Sequence, residues 1–155
     1  MENKNGDHMS KGFLAKVLLH IDAPEAAVWK ALTDPAIIKK YMFDADVASD
    51  WKTGSVISIK GIWKGAPYED KGIVLESVPG RKLVYTHFSP LSGLPDKPEN
   101  YHTITITLDA KGTESDLTLT QDNNATEEEK KYSEGNWSMM MNGMKKVAEA
   151  IPPGC

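Results

Sequence analysis

Period-two alternation recurs along most of this chain and then gives way, once, to a helical period near the C-terminus. Tyr101 to Asp109 shows it most cleanly: His102, Ile104, Ile106 and Leu108 face one way, and Thr103, Thr105 and Thr107 the other. Strict alternation of this kind marks a strand with one buried face. Phe13, Ala15, Val17, Leu19 and Ile21 repeat it, leaving His20 on the outer side. Ser55–Trp63, Tyr68–Val78, Lys82–Phe88 and Leu117–Thr120 follow the same rule, and Phe43–Ser49 follows it weakly. Lys52-Thr53-Gly54, Lys64-Gly65-Ala66-Pro67, Pro79-Gly80 and Lys111-Gly112 supply the turns between them.

Two short helices interrupt the strands early. Asp22-Ala23-Pro24-Glu25 reads as a helix start, with proline and an acid in the first turn. Thr33-Asp34-Pro35 ends that helix, because the residue before proline disfavours helical geometry. Pro35 then opens a second helix through Ile37, Ile38 and Tyr41. Ser89 to Asn100 has three prolines and no periodicity, which reads as a loop, either a lid or a solvated link.

The long final helix opens at Thr126, a side chain suited to capping, with acids in its first turn. Taken from Trp137, the positions Met140, Met141, Met144, Val147 or Ala148, and Ile151 form one apolar stripe. Four of the chain's seven methionines lie within 139–144. Such a stripe either fills an ordinary core or lines a hollow one, and methionine suits adaptable surfaces because its side chain is unbranched and polarisable. Large empty apolar voids are costly, at roughly 24 cal/mol per Å³. A hollow core should therefore be filled by a ligand, wetted or partly collapsed.

One strand, two short helices, about six strands and one long helix make an α+β chain. Its 155 residues predict a single domain over 11–151. Residues 1–10 read as a disordered tail, with His8-Met9 resembling a cloning-site remnant, and 152–155 as a C-terminal tail. The net charge is −4 and Arg81 is the only arginine, which argues against a nucleic-acid partner. No apolar run approaches the ~20 residues of a membrane span, and no secretory signal is visible. The single cysteine, Cys155, fits a reducing, cytoplasmic setting and sits too near the end for a catalytic thiol.

The four histidines, His8, His20, His87 and His102, lack the spaced partners of a metal site, and no phosphate loop or nucleophile elbow is present. No cofactor and no metal are expected. Asp44, Asp46 and Asp50 read as a solvated edge.

The stretch Ile21-Asp22-Ala23-Pro24-Glu25-Ala26-Ala27-Val28-Trp29-Lys30-Ala31-Leu32-Thr33-Asp34-Pro35 resembles the opening signature of a known family. Trp51 to Ser55, Leu75 to Tyr85 and Asn136 to Met144 resemble its later motifs. Together they make the chain similar to the START-like, or helix-grip (SRPBCC), superfamily over roughly residues 13–151. Within it, the chain resembles the homologues of the activator of heat-shock-protein-90 ATPase. It departs from the pattern at Ser55, where glycine is usual, near Tyr41-Met42, where tryptophan is usual, and at Met141 and Met144, where leucines are usual.

The resemblance implies a curved antiparallel sheet of six or seven strands gripping the C-terminal helix. It also implies a cavity for hydrophobic or aromatic molecules: lipid-like, polyketide-like or flavonoid-like. The side chains expected to line it are Tyr41, Phe43, Trp63, Tyr68, Tyr85, His102, Ile104, Trp137, Met140, Met141 and Met144. No catalytic residue is assigned. The alternatives are a cyclase or aromatase using His102, Tyr85 and Tyr68, or a chaperone co-activator working through its surface. Eukaryotic activators carry a further N-terminal domain not read here, so chaperone activation is the weaker expectation.

Overall fold

A computed structural model describes residues 12–152. The expected N-terminal tail, residues 1–10, and residues 153–155 of the expected C-terminal tail lie outside the described residues. In chain order the elements are β1 (Phe13–Ile21), α1 (Glu25–Thr33), α2 (Pro35–Tyr41), β2 (Asp46–Ala48), β3 (Val56–Trp63), β4 (Ala66–Val78), β5 (Lys82–His87), β6 (His102–Lys111), β7 (Glu114–Asn124) and α3 (Glu127–Ala150). Two 3-10 turns, Pro90–Ser92 and Pro98–Asn100, punctuate the expected loop between β5 and β6.

The seven strands form one antiparallel sheet in the order β1-β7-β6-β5-β4-β3-β2. Strands β2 to β7 run as a meander of neighbours, and β1 returns to pair with β7. Register shifts between Phe13 and Ala15 in β1 and between Val74 and Glu76 in β4 bend the sheet. Next to the second shift, a Cβ on Gly72 would lie 1.7 Å from the Thr86 carbonyl oxygen, so only glycine lets β4 cross β5 so closely. This is the helix-grip arrangement, with α3 packed against β1, β7, α1 and α2.

The weak strand expected over Phe43–Ser49 is shorter than the alternation implies. Phe43 and Asp44 take φ of 53° and 61°, left-handed values that cannot extend a strand, so β2 begins only at Asp46. The β3–β4 hairpin is also tighter than expected. Lys64 and Gly65 alone make the turn, both at positive φ, as a two-residue type I′ loop requires.

Caps fix the helix ends. Asp34 Oδ1 accepts from Ala36 N–H at 2.9 Å, with Pro35 at the first helical position of α2. Thr126 Oγ1 accepts from Glu129 N–H at 3.1 Å, while Glu129 reaches back to Ala125 N–H at 2.8 Å. Side chains of α3 also cover the edge of β1. Glu134 accepts from Lys16 N–H at 3.0 Å, Glu149 accepts from Asp22 N–H at 2.7 Å, and Lys145 donates to the His20 carbonyl at 2.9 Å. The bare edge of the sheet is thereby occupied, and α3 is held lengthwise along it.

The core lies between the concave sheet face and the three helices. Ile21, Val28, Leu83, Ile104, Leu119, Met141 and Met144 are at its centre.

Candidate functional site

Between α3 and the strands β3 to β6 opens a cleft of about 430 Å³. Met42, Ile59, Tyr85 and Trp137 line its inner end and also the wall of a small void of about 30 Å³ lying deeper. At the mouth stand Phe43 (50% exposed), Trp63 (46%), Leu91 (51%) and Tyr132 (68%).

Local sequence explains several of these placements. Trp63 is the last residue of β3, and the tight Lys64-Gly65 turn leaves its ring at the rim. Phe43 is held there by the left-handed turn after α2. Tyr68 lies on β4 opposite Gly61, where a Cβ would come 2.6 Å from the tyrosine hydroxyl, so that glycine makes room for the ring. Tyr85 sits on β5 between Val74 and Ile104. Its burial pushes the phenol pKa upward, keeping it a neutral donor. Tyr41 is shifted the same way, first by burial and then by the neighbouring Tyr85, and donates to the Ala31 carbonyl at 2.9 Å. It rests against α3 at Gly143, where a Cβ would stand 2.9 Å from that of Tyr41.

Eight polar side chains share the wall of the cleft, and most of them are tied down. His102 Nδ1 lies 2.8 Å from the Asp122 carbonyl oxygen. A carbonyl only accepts, so Nδ1 carries the proton, and in the neutral ring Nε2 is left as an acceptor. Opposite His102 across the β5–β6 ladder is His87, whose Nε2 is 3.0 Å from Asp70 Oδ2. The other Asp70 oxygen is buried without a hydrogen-bond partner. On the helix side, Trp137 Nε1 donates to Gln121 Oε1 at 2.7 Å. Gln121 in turn donates to Ser133 Oγ at 3.1 Å and to Asn124 Oδ1 at 3.2 Å. This buried network joins α3 to β7 and holds the ring of Trp137 between the cleft and the void.

Of the residues expected from the sequence, Phe43, Trp63, Tyr68, His102 and Met140 line the cleft. Tyr41 and Met141 line the inner void, and Tyr85 and Trp137 border both. Ile104 and Met144 line neither. Both are fully buried in the core that the sheet shares with α1, α2 and α3.

Sequence reasoning missed Asp70, His87 and Gln121 as cleft residues. Alternation along β4 places Asp70 on the face of Tyr68, and the β5 pattern places His87 with Tyr85, so both were within reach. Gln121 gave a weaker signal, as an inward polar position at the end of β7. Among the described residues, no group of three or more His, Cys, Asp or Glu could hold a metal ion. No helix there is long and apolar enough to cross a membrane.

Comparison with known proteins places this geometry. The family described as Activator of Hsp90 ATPase homolog 1-like protein matches residues 22–149. A protein from Cytophaga hutchinsonii, known from its solution structure, is 53% identical, with a TM-score of 0.80 over 91% of this chain and 97% of its own. The Aha1 dimer from Colwellia psychrerythraea shares 18% identity and a TM-score of 0.68, covering 89% of this chain and 97% of that one. CalU16 from Micromonospora echinospora shares 18% identity and a TM-score of 0.67, covering 92% and 88%. These last two similarities concern the fold alone. Comparison with curated proteins finds no match. With a match that spans residues 22–149, most of the chain, the chain belongs to the Activator of Hsp90 ATPase homolog 1-like family.

Proposed function

We propose that this protein binds a small hydrophobic or aromatic molecule in the cleft between its sheet and α3. One observation carries the reading: a cleft of about 430 Å³ whose wall combines aromatic and aliphatic side chains with eight polar ones, most of them oriented by hydrogen bonds. That size and composition are those of small-molecule sites. The four exposed apolar side chains at its mouth give such a molecule a surface to meet first. Phe43, Trp63, Tyr68, Tyr85, His102, Trp137 and Met140 would contact it.

Titration of labelled protein with flat aromatic ketones, flavonoids and fatty acids, followed by amide shifts, tests this directly. Shifts should cluster at Trp63, Tyr85, His102, Trp137 and Met140. Saturable binding with shifts confined to the outer sheet face, or no binding by any compound, would sink it.

A second reading, catalysis of the cyclase or aromatase type, is favoured by one feature. His102 keeps a ring nitrogen free in the same cleft as the Tyr85 phenol, an acceptor and a donor for proton transfer. Turnover of a bound polyketide-like compound that disappears in His102→Ala, with binding retained, would establish it. A role toward a chaperone has the family's description in its support and no feature of the cleft.

A further inference from the structure

We infer that the cleft selects an uncharged molecule whose inner end carries a hydrogen-bond acceptor, received by the Trp51 indole and the Tyr85 phenol. This rests on the cleft being a binding site and narrows what it takes.

The first argument is charge. No lysine or arginine lines the cleft or the inner void. Lys64 stands over the outer ring of Trp63, 5.8 Å from its centroid, and is not part of the lining. The one carboxylate in the wall, Asp70, already faces His87. A fatty-acid carboxylate placed inside would lose its hydration with no fixed cation to replace it.

The second argument is the deep end. Trp51 lines the inner void, and its indole N–H is buried with no hydrogen-bond partner. An indole nitrogen can only donate, so that N–H is satisfied by an acceptor and by nothing else. Trp51 is also held at φ 56°, a left-handed backbone uncommon for a bulky residue, with its own N–H bonded to Ser49 Oγ at 3.0 Å. Tyr85 borders the same void, and burial is the one cause of its raised phenol pKa, with no hydrogen bond contributing. Two donor-bearing side chains thus belong to the wall of this void, which shares Met42, Ile59, Tyr85 and Trp137 with the cleft. A carbonyl oxygen accepts two hydrogen bonds and carries no charge, so a ketone, ester or quinone oxygen fits there.

Three probes of one shape separate the possibilities: acetylnaphthalene, isopropenylnaphthalene, which replaces the carbonyl by a carbon–carbon double bond, and naphthoate. Affinities are measured by calorimetry on the whole chain. The four tryptophan indole N–H signals are followed by NMR, with Trp51 assigned through Trp51→Phe. Acetylnaphthalene should bind about tenfold more tightly than the alkene, the difference one hydrogen bond makes. Naphthoate should be the weakest of the three, and the Trp51 indole proton should move downfield with the ketone alone. Tyr85→Phe should narrow the gap between ketone and alkene, and it serves if Trp51→Phe does not fold.

Equal binding of ketone and alkene would overturn the inference while leaving the cleft a binding site, since a resident water would then be satisfying the indole. Naphthoate binding as tightly as the ketone would overturn it as well. If none of the three binds, the cleft reading falls and takes this one with it.

Discussion

The same helix meets the same sheet along its whole length, yet one half of their interface is solid and the other hollow. Under Met144 and Ala148 the space is filled. Under Tyr132, Asn136 and Met140 it is open. Side-chain chemistry does not account for the difference, because methionine occurs on both sides. A third layer does. Helices α1 and α2 close over one end of the sheet and send Val28, Ala31 and Ile37 into the solid half. The other end has only the turn at Phe43 and the Ser89–Ser92 segment beside it, and neither reaches across. A cavity here is the place where the chain supplies no third element.

That contrast can be broken most forcefully at Met144. Met144→Ala should leave a new void in the solid half and cost about 2–5 kcal/mol in urea unfolding. A loss as small as that of a surface mutation would show that half to be loose as well. Gly143→Ala comes next. Its methyl would press on Tyr41, and overpacking of about 1–3 kcal/mol should outweigh the ~1 kcal/mol gained in helix propensity. A variant more stable than the parent would mean that α2 can retreat freely.

Met140→Ala sharpens the comparison from the hollow side. Its removal widens an existing cleft instead of opening a closed cavity, so stability should fall by about 2 kcal/mol, the low end for a buried methionine. Affinity should shift towards bulkier aromatics, and a cost matching that of Met144→Ala would erase the distinction between the halves.

The smallest effect lies outside both halves, on the β1–β7 edge. His20 is clamped between Asp116 Oδ1 and Glu114 Oε1, each at 2.7 Å, and these two carboxylates raise its pKa above the ordinary value. A raised pKa favours the folded state fully below the unfolded value near 6.5, and the benefit is lost as pH rises through the folded value. His20→Gln should therefore lower Tm slightly at about pH 6 and leave it unchanged at about pH 9. A difference of the same size at both would mean the imidazolium plays no part.

How far these features could be read in advance differs by residue. Tyr68 and Tyr85 were legible as inward residues because a strand's faces follow from spacing two. Trp137 and Met140 were legible from spacing three and four. The same spacing also put Ile104 and Met144 in the lining, because a periodic pattern tells which face is inward but not whether anything packs against it. Asp70 and His87 pair across two strands, and their partnership depends on the register between β4 and β5, which Gly72 and the irregularity near Val74 set. Trp51 was noticed only as part of a motif. Its unpartnered indole exists because Val47, Ile57 and Ile106, which also line the void, are apolar.

The sequence alone determined the order of the elements, the inward face of each strand, the stripe on α3 and the family resemblance, since all of these depend on residues a few positions apart. Tertiary structure decided which stretch of the stripe is core and which is wall. It also decided which polar groups meet in the cleft, and that the Trp51 indole N–H is left without a partner. Those depend on contacts between residues far apart in the chain, and a hollow is defined by contacts that no local pattern encodes.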